Sequence, residues 1–306
     1  MKDKEKIKAQ FIRKLREFAE GLNSYTQTDD GQWSVKGFID VFKNVYTVSA
    51  DTKIVSKIIE IHLFPMVLEF ARSNSYQVVL AEHQNWYPDL SFVHEKYPNI
   101  KFAVDIKTTY RDPNYPGHCN GFTLGSHGEY FTNRESRKNI QFPYKEYLAH
   151  ICLGIIYSRT DNASIDETKI YSVEELGELN LSPKTIGARG LHTVKELHAI
   201  TSVVKDFQFF VREKWEIASD SSGSGNTANI GSITKIEDIV NGNGVFKNLG
   251  EEWFDEYWMN YRKISIKTKS GKTKVISNLK EFLEYRGMDP LLANPKAKRT
   301  KKKNEG

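Results

Sequence analysis

The amino-acid sequence predicts a fold of the mixed α/β class, because stretches with helical and with strand periodicity alternate along one chain. Two long stretches are helical: an amphipathic one around Phe11 and Leu15, and an apolar one from Lys53 to Arg72. Shorter apolar stretches of strand length follow them. The predicted strands are Tyr76–Leu80, Leu90–Val93, Lys101–Ile106 and Phe207–Val211.

The N-terminal segment, residues 1–50, is predicted to begin with an amphipathic helix. Ile7, Phe11, Leu15 and Phe18 lie at helical spacing with charged residues between them, so one face of the helix is apolar. We expect this face to dock on the body of the protein or on a second subunit. Residues 1–50 are therefore interpreted as a helical segment involved in dimerisation.

The stretch from Lys53 to Arg72 is apolar on nearly all sides, which is typical of a largely buried helix. Pro65 is expected to kink or break it, because proline lacks the backbone N–H that an interior helical position uses. Glu60 is a charged residue in this apolar setting. It is either a carboxylate at the edge of the buried face or an additional acidic group near a functional site.

The second half of the chain contains further predicted elements. Tyr144–Tyr157 is predicted to be a buried helix, in which His150 is a packed, hydrogen-bonded core residue, and Lys214–Ala218 is predicted to be a strand. Glu251–Arg262 is predicted to be a helix whose aromatic residues belong to the core. Residues 51–290 are interpreted as one domain. The basic tail that follows, residues 291–306, is expected to be disordered.

The composition limits the class of protein. The 306 residues are 39% hydrophobic and carry a formal net charge of +5, which is ordinary for a soluble protein with a substantial core. We expect no membrane span and no secretory signal, since long apolar runs are absent from the sequence. The two cysteines suggest neither a disulfide framework nor a structural zinc site, and we expect a cytoplasmic protein. The basic tail is either a solvated end or an added source of affinity for phosphates.

The most informative feature is Pro88-Asp89, followed by Asp105-Ile106-Lys107 at the end of an apolar strand. Side chains alternate between the faces of a strand, so Asp105 and Lys107 project from the same face, roughly 6–7 Å apart along the strand. The simplest interpretation of such a triplet is an ion pair or a solvated surface. Two carboxylates beside a lysine are also the groups that would hold Mg²⁺ and orient a water for hydrolysis of a phosphodiester bond.

Residues 219–232 are nearly all small and polar, and they lie between apolar segments. Such a segment is a flexible surface loop, a phosphate-binding loop or a loop that reads DNA bases. The Lys-Ser/Thr ending of a Walker phosphate-binding loop is absent from it. We favour base reading, because glycines let the backbone approach base edges, Asn226 has the groups that pair with adenine, and Thr227 offers a hydroxyl and a methyl group to thymine.

Around these residues the sequence resembles the EcoRV family of type II restriction endonucleases, within the PD-(D/E)XK nuclease superfamily. The resemblance spans residues 51–261 and is weak or absent in residues 1–50, around 178–200 and beyond 264. The motifs that carry it occur in the family's order: Asp51-Thr52-Lys53, Asn85-Trp86-Tyr87-Pro88-Asp89, Asp105-Ile106-Lys107-Thr108-Thr109-Tyr110, Phe122-Thr123-Leu124-Gly125, Tyr147-Leu148-Ala149-His150 and Gly223-Ser224-Gly225-Asn226-Thr227.

The resemblance implies a restriction-endonuclease-like core with a central mixed sheet flanked by helices, filling residues 51–290. It also implies site-specific cleavage of double-stranded DNA by a homodimer that requires Mg²⁺ and is accompanied in its host by a cognate DNA methyltransferase. The implied catalytic residues are Asp89, Asp105, Lys107 and Glu60, and the implied metal ligands are Asp89, Asp105 and Glu60. The residues implied in base recognition are Gly223, Ser224, Gly225, Asn226, Thr227, Gln84 and Asn85. The residues implied in phosphate contacts are Thr52, Lys53, Thr109, Lys138 and Asn139.

The sequence departs from the family pattern at two informative positions. Trp86 stands where the family has a histidine, and Ala228 stands where it has a threonine directly after the base-reading motif. We expect a short palindromic site related to GATATC, with blunt cutting, as the working hypothesis. Two alternatives remain open: a structure-directed or repair nuclease without strict sequence specificity, and a non-catalytic DNA-binding protein.

Overall fold

The computed structural model of the protein describes residues 2–83, 85–160, 170–172, 183–186, 189–192, 200–223, 228–267 and 271–295. The chain divides into two compact units. The first unit is made of the described residues within 1–20, 64–156 and 209–306, and the second of those within 21–63 and 157–208. No helix in the described ranges is both long and apolar enough to cross a membrane.

Helices and strands alternate along the chain, which confirms the predicted mixed α/β class. The described strands are β1 (Gly37–Ile39), β2 (Asn44–Thr47), β3 (Tyr76–Leu80), β4 (Leu90–His94), β5 (Lys101–Tyr110), β6 (Thr123–Ser126), β7 (Tyr147–Arg159), β8 (Ile170–Ser172), β9 (Pro183–Ile186), β10 (Arg189–His192), β11 (Val204–Glu213), β12 (Ala218–Ser222), β13 (Asn229–Ser232), β14 (Ser265–Lys267) and β15 (Thr273–Val275). The described helices are α1 (Lys2–Thr26), α2 (Thr52–Ser73), α3 (Glu129–Thr132), α4 (Lys214–Ile217), α5 (Ile236–Asn241), α6 (Glu251–Met259) and α7 (Leu279–Tyr285).

A five-stranded sheet forms the centre of the fold, in the strand order β11-β7-β5-β4-β3. β3, β4 and β5 pair antiparallel, and Leu90 at the start of β4 lies opposite Val104 in β5. Both faces of β5 are covered, since Phe102, Ala103 and Val104 are all fully buried. The predicted central mixed sheet with flanking helices is confirmed, and its register sets the first residues of β4 beside the middle of β5.

The N-terminal helix packs on this sheet. Phe11 and Leu15 of α1 are buried, as their helical spacing predicts. The ring of Phe11 stacks on Phe102 with 3.9 Å between the centroids, and it meets the edge of Phe92 at 5.4 Å. Of the two docking surfaces considered for this helix, the body of the protein is therefore the one that its apolar face contacts.

Helix α2 differs from the prediction in two respects. It runs without interruption through Pro65, because packing of the buried Leu63 and Val67 on either side outweighs one missing backbone hydrogen bond. It is also exposed along one side, where Ile54 and Ile61 are 43% and 64% exposed. The helix is therefore apolar on nearly all sides but is not buried on all sides, and the prediction of a largely buried helix is wrong for the side that carries Ile54 and Ile61.

The segment Tyr144–Tyr157, predicted to be a buried helix, is a single turn of 3₁₀ helix at Tyr144–Glu146 followed by strand β7. An apolar run buried on both faces has no alternation that distinguishes a central strand from a buried helix. The strand is favoured by its place between β5 and β11 and by Gly154, where a Cβ would lie 2.0 Å from the ring of Phe210. The close approach of that ring requires glycine.

Of two further predictions for the second half of the chain, one is wrong and the other is confirmed. Lys214–Ala218 is not a strand: α4 covers Lys214–Ile217 and only then does β12 begin. The helical turn is favoured by a capping box, in which the side chain of Glu216 accepts a hydrogen bond from the backbone N–H of Glu213 at 2.8 Å. The aromatic helix is confirmed as α6, and Trp258 on it is fully buried.

Candidate active site

The β4–β5 hairpin places two carboxylates side by side. Leu90 pairs with Val104 in antiparallel register, so Asp89, one residue earlier, lies opposite Asp105. The backbone N–H of Asp89 donates to Asp105 Oδ1 at 3.1 Å, and the N–H of Ile106 donates to Asp89 Oδ2 at 2.9 Å. Each carboxylate thus accepts a hydrogen bond from the neighbouring strand, and their proximity follows directly from the strand register.

Lys107 joins this pair from the same face of β5 as Asp105. Its Nζ lies 3.0 Å from Asp89 Oδ2 and 3.5 Å from Asp105 Oδ2, so one ammonium group bridges both carboxylates. The structure therefore brings Asp89, Asp105 and Lys107 together. Two negative carboxylates side by side attract a positive charge, and carboxylate oxygens are the ligands that Mg²⁺ prefers in proteins.

Neighbouring charges control protonation in this group. Burial by itself raises the pKa of Asp105, but the ammonium groups of Lys107 and Lys214 outweigh this effect and lower the pKa to about 2. Burial by itself lowers the pKa of Lys107, and the carboxylates of Asp105 and Asp89 reverse this effect and raise the pKa. Asp105 is therefore ionised at neutral pH, and Lys107 is a protonated hydrogen-bond donor.

A second ammonium group at this site, that of Lys214, is not indicated by the sequence. Lys214 is the first residue of α4, and its Nζ lies 2.9 Å from Asp105 Oδ2. It also lies 3.8 Å from the ring centroid of Tyr87. In the predicted strand Lys214 would share a polar, solvated face with Glu216, so the wrong assignment of this element concealed its burial. The capping box formed by Glu213 and Glu216 is the signal in the sequence that would have revealed the helical turn and, with it, the burial of Lys214.

The group faces a pocket of about 340 Å³ in the first unit. Asp89, Asp105 and Lys107 line it together with Asn85 and Asn139, two residues predicted to contact DNA. The other lining residues are Trp86, Tyr87, Gly125, Ser126, Gly128, Glu129, Tyr130 and Asn229. Predicted metal ligands and predicted DNA contacts therefore face one cavity.

The turn that precedes Asp89 is held by its neighbours. The backbone N–H of Tyr87 donates to the carbonyl of Asn139 at 3.0 Å, and the N–H of Gln141 donates to the carbonyl of Tyr87 at 2.9 Å. The Tyr87 hydroxyl donates to His150 Nδ1 at 2.7 Å, and burial lowers the pKa of His150 well below its usual value. His150 is therefore a neutral, hydrogen-bonded core residue, as predicted, and it supports the turn.

The predicted base-reading loop is connected to the same pocket. β12 and β13 lead into and out of it as an antiparallel pair, with Ser222 opposite Ile230. Asn229 at the start of β13 lines the pocket. Gly223 and Asn85 are described, whereas the remaining predicted base-recognition residues, Gln84, Ser224, Gly225, Asn226 and Thr227, lie outside the described residues.

Three predicted site residues lie on α2, in the part that belongs to the second unit. Asp51 precedes this helix and accepts a hydrogen bond from the backbone N–H of Lys53 at 2.9 Å, so exposed Lys53 and half-buried Thr52 lie at its N-terminus. The carboxylate of Glu60 forms an ion pair with Lys57. Within the described residues, no group of three or more His, Cys, Asp or Glu side chains is arranged to hold a metal ion. The role of Glu60 stays a prediction.

The other predicted phosphate contacts differ in exposure. Lys138 and Asn139 are exposed, and Asn139 adopts a left-handed backbone conformation with φ of 59°. Thr109 on β5 is only 5% exposed. A phosphate would reach Lys138 and Asn139 without any rearrangement, whereas contact with Thr109 would use the small accessible part of that residue.

Comparison with known proteins identifies the family. The family model described as "Restriction endonuclease EcoRV" matches residues 29–187 and 183–287. The type II restriction enzyme EcoRV of Escherichia coli is 34% identical over 260 residues, which cover 85% of this chain and 94% of that enzyme. The chain belongs to the EcoRV family of restriction endonucleases. The resemblance inferred from the motifs is thereby confirmed, but its expected bounds are wrong, since the matched residues extend beyond 51–261 and include residues around 178–200.

Membership of the EcoRV family makes this protein a type II restriction endonuclease, that is, a site-specific deoxyribonuclease that binds double-stranded DNA and hydrolyses its phosphodiester bonds. EcoRV-family nucleases use divalent metal ions. The donors fit such an ion, because the carboxylates of Asp89 and Asp105 line the same pocket and each carboxylate lies within 3.5 Å of one ammonium group, that of Lys107. Two carboxylates suffice for an ion that also takes water and substrate phosphate as ligands.

Proposed function

We propose that this EcoRV-family enzyme cleaves double-stranded DNA at a short palindrome, with Asp89 and Asp105 holding Mg²⁺ and Lys107 acting beside them. The observation that supports this proposal is the single pocket lined by all three side chains together with Asn85 and Asn139. Such a pocket admits a DNA backbone at the carboxylates while the flanking asparagines contact the same duplex.

The chemistry follows from the charges in the pocket. Mg²⁺ would polarise the scissile phosphate and make water more acidic. Lys107 orients the attacking water and stabilises negative charge as it develops on the phosphate, because its ammonium group is held at the carboxylates as a donor. Asp89, directly before β4, and Asp105, in the middle of β5, would hold the metal. Glu60 is proposed as a third acidic group that assists the metal or couples it to the subunit interface.

The proposed recognition sequence is GATATC, cut bluntly at its centre. Gly223 to Thr227 read base edges in the major groove, and the Gln84-Asn85 turn approaches the minor groove directly before Asp89. Phosphate contacts from Thr52, Lys53, Thr109, Lys138 and Asn139 position the duplex without reading its sequence. Part of the specificity is indirect, because a central TA step deforms easily. Ala228 and Trp86 are the positions at which this preference would differ from that of relatives.

The enzyme is proposed to act as a homodimer, since a two-fold symmetric site is matched by a two-fold symmetric protein with one active site for each strand. The second unit offers a surface for this contact on the β1–β2 hairpin, where large apolar side chains are exposed. They are Phe38, Ile39, Val41 and Phe42, of which Val41 is 90% and Phe42 81% exposed. Exposed apolar patches of this kind mark interaction sites. A cognate DNA methyltransferase would protect the host site.

The decisive experiment is a Mg²⁺-dependent digest of DNA of known sequence, followed by sequencing of the product ends. Discrete fragments with blunt ends inside one palindrome support the proposal and identify the site. Nicking or smearing without a consensus contradicts it and favours a structure-directed nuclease. Lys107→Ala is the matched inactive control: it should bind the same duplex without cutting it, and wild-type turnover by this variant would refute the assigned role.

The dimer has its own test in solution. Phe42→Glu places a charge on the exposed hairpin and is expected to shift the enzyme to monomers in sedimentation equilibrium. Tyr97→Glu is the matched control, because Tyr97 is a similarly exposed aromatic residue (57%) in the first unit. A Phe42→Glu enzyme that remains dimeric, or a monomeric wild-type enzyme that cuts both strands, would contradict the proposed interface.

A further inference from the structure

The ammonium group of Lys214 is enclosed among the elements that carry the catalytic group. Its Nζ lies 2.9 Å from Asp105 Oδ2 on β5 and 3.8 Å from the ring centroid of Tyr87, two residues before Asp89. On β6, a Cβ at Gly125 would lie 3.1 Å from this Nζ, so any larger residue at position 125 would crowd the ammonium group. The Lys214 and Asp105 side chains are only 5% and 4% exposed.

Stability alone does not explain this arrangement. Replacement of a buried ion pair by apolar groups of similar volume is often neutral or stabilising, because the charges lose their hydration. Lys107 already supplies a positive charge to Asp105, at 3.5 Å. A second, more deeply buried ammonium at the same carboxylate therefore points to a role in orienting the carboxylate.

The two lysines both contact Asp105 Oδ2 but differ in their access to the pocket. Lys107 lines the pocket, whereas Lys214 is not among the described residues that line it. Asp105 Oδ1 accepts the backbone N–H of Asp89 at 3.1 Å, while Oδ2 accepts a hydrogen bond from Lys214. Both oxygens thus accept a hydrogen bond from the protein, which fixes the rotation of a carboxylate that also lines the pocket.

We propose that Lys214 is a positioning residue for DNA cleavage, which holds the Asp105 carboxylate in the orientation that binds the metal ion. The inference rests on the proposed function, in which Asp105 is a metal ligand. Lys214 lies at the base of the hairpin that carries the base-reading loop, since α4 leads directly into β12. The residue that orients the metal ligand therefore belongs to the same continuous segment as the residues that read DNA.

The test is Lys214→Met, which keeps the length of the side chain and removes its charge. Partners that orient metal ligands typically contribute about 10–100-fold to metal affinity or activity. The Mn²⁺ dissociation constant of the full-length protein, measured by electron paramagnetic resonance without DNA, is expected to rise by about this factor. The Mg²⁺ concentration for half-maximal cleavage should rise in parallel. Lys214→Arg keeps a positive charge and is expected to recover part of the loss.

Lys101→Met is the matched control. Lys101 lies on the same strand as Asp105, forms an ion pair with Glu146 at 2.9 Å, and lies 5.0 Å from the ring centroid of Phe142. The Lys101→Met substitution removes a half-buried ion pair and a ring contact, and it leaves the carboxylates of the pocket unchanged. Mn²⁺ affinity should be unchanged, and a loss equal to that of Lys214→Met would overturn the proposal, because the effect would then be one of general stability.

These experiments distinguish failure of the positioning role of Lys214 from failure of the proposed function. Wild-type Mn²⁺ affinity and cleavage in folded Lys214→Met, with Asp105→Ala inactive, would overturn the positioning role alone. Wild-type cleavage by Asp105→Ala would instead refute the proposed function on which it rests. If circular dichroism shows that Lys214→Met is unfolded, Lys214→Gln, which retains a hydrogen-bond donor without the charge, decides by the same Mn²⁺ measurement.

Discussion

Asp105→Asn should destabilise the folded protein as well as stop cleavage. Asp105 supplies the carboxylate that the Lys214 ammonium contacts, at 2.9 Å, and both side chains are almost completely buried. Removal of one member of a buried ion pair leaves an uncompensated charge in the interior and costs about 3–5 kcal/mol of unfolding free energy. Asparagine still offers an oxygen to the ammonium, so we expect about 3 kcal/mol, at the lower end of this range.

Part of the lost stability should be recovered in a double variant. Lys214→Met removes the uncompensated ammonium, so Asp105→Asn/Lys214→Met should be more stable than Asp105→Asn by about 2 kcal/mol, within the usual range for residues in contact. Cleavage should not return, because the carboxylate is still missing. The control is Glu146→Gln, which breaks a more exposed pair with Lys101 and should cost less than about 1 kcal/mol.

The assay is urea unfolding at pH 7 without metal, followed by tryptophan fluorescence. The midpoint and slope give the free energy of each variant, and the slope should stay constant if the same surface is exposed. A loss of less than about 1 kcal/mol in Asp105→Asn, or a double variant less stable than Asp105→Asn, would contradict a stabilising Lys214–Asp105 pair. Either result would mean that solvent or a rearranged partner compensates Lys214.

Three other predictions concern the same unit. The pKa of Asp105 is about 2 in the folded protein against 3.8 ordinarily, so ionised Asp105 stabilises the folded state by about 2 kcal/mol above pH 4, and this stabilisation is lost as the pH falls toward 2. In urea unfolding, the difference in unfolding free energy between wild type and Asp105→Asn should therefore narrow by about 2 kcal/mol over this pH range. Phe11→Ala removes a buried ring stacked on Phe102 and should cost about 3–5 kcal/mol in thermal or urea unfolding, and an unchanged midpoint would contradict docking of α1. Gly125→Ala forces a side chain into a conformation with φ of 98° and against Lys214; it should cost about 1–3 kcal/mol and slow cleavage, and a fully active, equally stable variant would contradict the packing described for this position.

The grouping of Asp89, Asp105 and Lys107 on the β4–β5 hairpin could be predicted because it depends on local sequence. Alternation along residues 101–107 determines that Asp105 and Lys107 share a face, and the preceding Pro88-Asp89 lies within reach through one tight strand pair. Nothing of this kind reveals Lys214, because its burial depends on a helical turn and on packing against strands from elsewhere in the chain. The residue that was missed, Lys214, is therefore one whose environment is set by tertiary packing.

The wrong predictions for β7 and α2 also arise from features that depend on tertiary packing. β7 has apolar side chains on both faces, so periodicity does not separate a central strand from a buried helix, and only its neighbours in the sheet do. On α2, Ile54 and Ile61 resemble core residues in composition although they are exposed. Their exposure depends on which surfaces the rest of the protein covers, and this information is not contained in the helix itself.

The β4–β5 hairpin has a consequence for folding and for evolution. Asp89 and Asp105 come from adjacent strands joined by a short connection, so their approach closes only a small loop and costs little chain entropy. Local contacts of this kind are those that favour fast folding. The distance between the two carboxylates therefore depends on the register of one local strand pair. An insertion inside either strand would shift the pairing by one residue and turn one carboxylate to the opposite face, whereas an insertion in the connection would leave the pair intact.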